Sequence, residues 1–176
     1  MFKSAKEIAF SGTAVALLIG GQLVLSAIAG IEIVTVIFAV YCLVFGVVRG
    51  VITATAFSLV RCFVFGFFPN VIILYIVYYN LFAVSLGLIG KAIKKDNLPI
   101  KIIIVTVVCI LLTILFSAID VALNLWVLGG IPQAVQKIYV LQTIPVAITH
   151  AVSNAVVVPL LFYPIYKVFT AVKNLL

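Results

Sequence analysis

Asp120 and Asn124 stand four residues apart, and so do His150 and Asn154, so each pair shares one face of a helix if its segment is helical. Carboxylate, amide and imidazole at such spacings recognise small polar ligands, or join helices by hydrogen bonds. Around them the chain supplies Glu32, Arg61, Asn80 and Lys137, together with Tyr75, Tyr79 and Trp126, whose rings offer flat stacking surfaces. His150 and Ser153 are three apart, but no orienting acid or oxyanion hole accompanies them in a recognised arrangement. The sequence has no paired-histidine metal motif, no phosphate-cradling glycine loop and no dinucleotide fingerprint. The three cysteines, Cys42, Cys62 and Cys109, lack metal-ligand spacing, and their type favours buried packing. Binding, with no catalysis, is the chemistry these residues favour.

The surroundings of these residues decide their meaning. Of 176 residues, 66% are hydrophobic and 9% charged, far from the roughly 25% charged residues of a soluble domain, so the chain belongs in a bilayer. Apolar runs cover residues 8–29, 33–48, 51–68, 71–90, 102–128 and 143–166. A cleaved signal is disfavoured because the first run exceeds the usual hydrophobic region of about 7–15 residues. The second run is rich in β-branched residues, but a lone strand leaves its backbone unsatisfied in lipid, so a helix is expected there too. Residues 132–139 read as an outer loop or a short interfacial helix, and Pro159 is expected to kink the last span. The fold class expected is an all-α polytopic membrane protein, residues 1–176 forming one domain of six transmembrane helices.

Six crossings put both termini on one side. With that side cytoplasmic, Lys3, Lys6, Arg49, Lys91, Lys94, Lys95, Lys101, Lys167 and Lys173 all lie at inner ends, 9 of the 11 basic residues. The +7 formal charge then reports topology through the positive-inside rule, and no compact basic domain is left to bind nucleic acid. Arg61 and Asp120 each fall about 10 Å below the outer surface at 1.5 Å per residue, and so does His150. A charge within a span costs about 2.5–3.5 kcal/mol on insertion scales. Two readings follow. Arg61 and Asp120 neutralise one another as a structural pair, or polar groups from several helices converge on an outward-facing ligand pocket.

Ala9, Gly12, Thr13, Ala16 and Gly20 draw a line of small residues down one face of the first helix. Such a line permits close helix packing, either within the chain or against a separate membrane protein. A short six-helix chain with this face and an outer polar pocket resembles the substrate-binding S component of energy-coupling factor (ECF) vitamin transporters. The similarity extends over essentially the whole chain. It includes Lys6-Glu7-Ile8-Ala9 leading into residues 13–17, the Arg49-Gly50 turn and the hairpin at Lys94-Lys95-Asp96.

The resemblance implies a high-affinity binding subunit in a prokaryotic cell membrane. It would hold a vitamin or related micronutrient in the outer half and dock through Ala9, Gly12, Thr13 and Ala16 onto a transmembrane coupling protein. ATP would be used by two partner ATPase subunits, with no cofactor in this chain. Glu32, Arg61, Tyr75, Tyr79, Asn80, Asp120, Asn124, Trp126, Lys137, His150 and Asn154 are the candidate contacts. The competing expectation is a stand-alone secondary transporter, a channel or a structural membrane subunit. A reporter domain fused after Lys95 is expected on the cytoplasmic side, and an external reporter would contradict the assigned orientation.

Overall fold

The computed structural model describes residues 5–25, 32–93, 97–127 and 132–175. They form six helices: α1 (Ala5–Leu25), α2 (Ile33–Phe45), α3 (Val47–Phe65), α4 (Pro69–Ala92), α5 (Leu98–Val127) and α6 (Gln133–Leu175). All but α2 are long and apolar enough to cross a membrane, as expected of a membrane-embedded protein. Lys3, Lys94, Lys95 and Asp96 lie outside the described residues.

At 13 residues α2 extends about 20 Å, against a hydrocarbon core of about 30 Å. It is apolar all round, so no face of it favours water, and burial is the expected outcome. Every residue from Val34 to Val44 is buried, and α2 touches each of the other five helices. Phe38 and Tyr41 on α2 pack with Phe10 of α1, Phe82 of α4 and Phe169 of α6. The Tyr41 hydroxyl shares hydrogen bonds with Ser11 of α1 at 2.9 Å and Thr53 of α3 at 2.9 Å.

Gly46, at φ +83°, forms the corner between α2 and α3, a backbone conformation that side chains oppose. Its N–H donates to the Cys42 carbonyl and ends α2. Against this corner lies α4, seated by two glycines. A Cβ on Gly87 would come within 2.6 Å of the Val47 nitrogen, and one on Gly90 would run into the Leu43 carbonyl oxygen.

One expectation changes at the sixth helix. Residues 133–142 continue into α6 without a break, giving a helix of 43 residues that contains Pro145, Pro159 and Pro164. Of the two readings for residues 132–139, the loop is therefore excluded, and the helix there is the start of α6 in place of a separate short interfacial helix. Pro132 begins the described segment and accepts at its carbonyl from Val135 and Gln136, so the first turn is built directly on it. The helix α5 likewise begins at Leu98, with Pro99 in its first turn, where the missing N–H costs nothing. The three cysteines are buried free thiols, as their type suggested.

Glycine to alanine within a helix ordinarily gains about 0.5–1 kcal/mol, so only a collision reverses the sign. Gly87→Ala is expected to lower the thermal midpoint in detergent by about 1–3 kcal/mol equivalent, the usual cost of overpacking. Gly12→Ala, with no atom within 4 Å of the new carbon, is expected to cause no loss. Equal midpoints for the two variants would contradict the close seating of α4.

Candidate ligand-binding site

The end of the bundle opposite Arg49, Lys91, Lys101 and Lys173 contains a cavity of about 500 Å³ to which all six helices contribute. Gln22 enters from α1, Glu32 and Thr35 from the start of α2, and Arg61 and Phe65 from the end of α3. Tyr75, Tyr78 and Tyr79 come from α4, Thr113, Phe116, Ser117 and Asp120 from α5, and Thr143, Val146 and His150 from α6. Helix polarity explains the convergence. The C-terminal ends of α1, α3 and α5 meet the N-terminal ends of α2, α4 and α6 at this level.

Glu32 caps α2 in extended backbone geometry and ties it to α6. One carboxylate oxygen lies 2.6 Å from His150 Nδ1, a short contact that becomes an ion pair when the imidazole is protonated, although its angle is poor for a hydrogen bond. The other accepts from the Thr35 hydroxyl at 2.9 Å and from the Asn154 amide at 3.5 Å. The Glu32 N–H donates to Ser153 Oγ at 3.3 Å, which occupies the hydroxyl beside His150 as an acceptor. Asn154 also donates to Thr113 Oγ1 at 2.8 Å, so α5 is joined to the same network. Burial on its own raises the Glu32 carboxyl. The close His150 contact and its charge, with hydrogen bonds from Thr35 and Asn154, outweigh burial and hold the group below its ordinary value.

Arg61 and Asp120 both line the cavity, but they do not pair with one another. The structural ion pair considered from sequence is absent among the described residues. The Arg61 guanidinium lies over the Tyr75 ring at 3.9 Å and the Phe65 ring at 4.8 Å, and its Nε donates to Gln22 Oε1 at 3.2 Å. Gln22 in turn donates to the Tyr75 hydroxyl at 3.1 Å, which locks cation, amide and phenol into one arrangement. Across the cavity, Asp120 accepts from Asn124 at 2.9 Å and from the Tyr139 hydroxyl at 2.8 Å. Asn124 is itself held by Asn70 of α4 at 2.8 Å.

Of the candidate contacts, Glu32, Arg61, Tyr75, Tyr79, Asp120 and His150 line the cavity. The remaining candidates sit elsewhere. Asn154 is fully buried behind the lining, where it braces Glu32 and Thr113. Asn124 orients Asp120 from outside the cavity. Asn80 donates to the Ile76 carbonyl and accepts from Thr55, so it joins α4 to α3. Trp126, 77% exposed, and exposed Lys137 do not line the cavity.

Gln22, Thr35, Tyr78, Thr113, Phe116 and Ser117 line the cavity without having been singled out from sequence. For three of them a signal exists. Thr113, Ser117, Asp120 and Asn124 recur at spacings of four, three and four, which draws a polar stripe down α5. Gln22 is an amide in an otherwise apolar stretch of α1. No group of three or more potential metal ligands occurs among the described residues. Comparisons with protein-family models, with curated proteins and with solved structures find no match to this chain.

The lowered Glu32 pKa fixes the sign of a pH effect. Its stabilising contribution is complete above the ordinary value of 4.5 and is lost as pH falls through the lower folded value. Glu32→Gln is expected to lower the thermal midpoint at pH 7 by about 1–3 kcal/mol equivalent, the scale of a lost hydrogen-bonded charge. Its gap to the parent protein should narrow on acidification below pH 4.5. A gap that stays constant from pH 7 to about pH 3 would contradict the network.

Proposed function

We propose that this chain is the membrane-embedded binding subunit of an ECF-type importer for a vitamin or related micronutrient. The observation that carries the reading is the cavity at one end of the bundle, lined by every helix and by aromatic rings with a few placed charges. Its volume falls within the range of about 300–1,000 Å³ typical of small-ligand sites. A cavity that size excludes a folded partner and suits a single small molecule.

The orientation in this reading follows the charges. Lys91, Lys101, Lys167 and Lys173 gather at the end away from the cavity, with Arg49 bound to Glu7 at 2.7 Å. Placing that end in the cytoplasm satisfies the positive-inside rule and turns the cavity outward. The six-crossing topology then needs α2 to cross as a short helix shielded by its neighbours, and both termini are cytoplasmic.

The small-residue line on α1 supports docking onto a coupling protein. Glu7, Ser11, Ala14, Val15 and Leu18 take the buried face of α1, whereas Ala9, Gly12, Thr13, Ala16 and Gly20 are exposed on the other. Packing within the chain therefore leaves the line available. Close approach without side-chain obstruction is what small residues offer a partner helix in lipid. ATP hydrolysis belongs to the partner ATPase subunits, and this chain contributes binding and no catalysis.

Affinity purification of the tagged chain from its host membranes is expected to recover a transmembrane coupling protein and two ATPases. Gly12→Trp should abolish that recovery while its detergent-solubilised form melts as the parent does. Failure to recover any ATPase, or retention of the ATPases by the variant, would overturn the reading in favour of a stand-alone membrane protein.

A further inference from the structure

The cavity holds one cation and one anion that the protein leaves unneutralised. Arg61 has no carboxylate partner and Asp120 no cationic partner among the described residues, while Glu32 and His150 face one another. Each of these groups is costly to bury alone, and each is held in place by neighbours that do not cancel its charge. Gln22 and the Tyr75 ring fix the Arg61 guanidinium, and Asn124 and Tyr139 fix the Asp120 carboxylate. The lining they share is aromatic: Arg61 lies over Tyr75, and Phe116, four residues before Asp120 on α5, packs edge to face on Tyr75 and Tyr78.

We propose that the ligand of this cavity is a small aromatic zwitterion, its anionic group received by Arg61, its protonated amine by Asp120 and its ring by the tyrosine and phenylalanine wall. This deepens the reading of the chain as a binding subunit and rests on it for the site. A guanidinium presents paired N–H donors that match a carboxylate, and an aspartate with one donor on each oxygen retains lone pairs for an ammonium. A ligand with the acid alone leaves half-buried Asp120 covered without a cation, and one with the amine alone leaves half-buried Arg61 without an anion. Both are selected against by the same desolvation that makes the charges costly.

Three matched sets test this on the purified chain in detergent, by thermal shift and calorimetry. They are tryptophan with tryptamine and indole-3-propionate, phenylalanine with phenethylamine and 3-phenylpropionate, and histidine with histamine and imidazole-4-propionate. At least one amino acid is expected to raise the thermal midpoint and to bind at least tenfold tighter than its own amine and its own acid. Asp120→Asn should erase its advantage over the acid, and Arg61→Gln its advantage over the amine. An acid or amine that binds as tightly as its amino acid overturns the proposal, and so does the absence of binding by all three amino acids. Partner proteins take no part in these measurements, so their failure leaves the import reading to the ATPase recovery. Zwitterion binding without ATPase recovery would refute import alone.

Discussion

Glu32 is the group on which the cavity end of the protein depends. A carboxylate at the start of a buried, largely apolar helix is favoured by the positive end of the helix dipole, but it still has to be satisfied by neighbours. His150, Thr35 and Asn154 supply that satisfaction, and in doing so they fasten α2 to α6 and, through Thr113, to α5. The central helix has no other polar contact at this end among the described residues that reaches across the bundle. The cavity keeps its shape because the cap that closes α2 is also the brace between its neighbours.

The opposite end follows the same rule with different groups. The Tyr41 hydroxyl is shared between Ser11 and Thr53, Arg49 meets Glu7, and Lys173 Nζ donates to the Val44 carbonyl at 2.6 Å near the end of α2. Polar contacts at both ends of α2 and aromatic packing between them leave the outward faces of the other helices apolar, as with Ile103 and Leu111 on α5 or Leu160 on α6. Such a body presents little polar surface to lipid. The small residues Ala9, Gly12, Thr13, Ala16 and Gly20 form an exposed line on α1 within that outward surface.

Much of this was legible in the sequence because hydrophobicity over long runs leaves helices as the spanning structure for any open segment. The run at residues 33–48 reads as a helix, but as one more crossing; that α2 ends at Phe45 and sits buried among the other five helices emerges only from the packing. The inward-facing charges were also identifiable, because each is costly in a span. Their partners were harder to assign. Arg61 and Asp120 invite pairing by depth alone, yet a guanidinium is equally served by an aromatic face, and sequence spacing carries no information on which ring lies beneath it. Asn80, Asn124 and Asn154 were indistinguishable from ligand contacts because an interhelical amide and a binding amide have the same residue type and depth. That residues 133–142 are helical was one of two readings open from sequence; their unbroken continuation into α6 was not legible because proline and polar residues there resemble a boundary, although proline is well tolerated in the first turn of a helix.

A binding site between the six helices should hold its ligand when the chain is released gently from host membranes, and native mass spectrometry reads this out. One small organic molecule per chain is expected, displaced when Arg61 and Asp120 are both replaced by alanine. A chain that carries no small molecule, and takes none up from an extract of its own host, would contradict it.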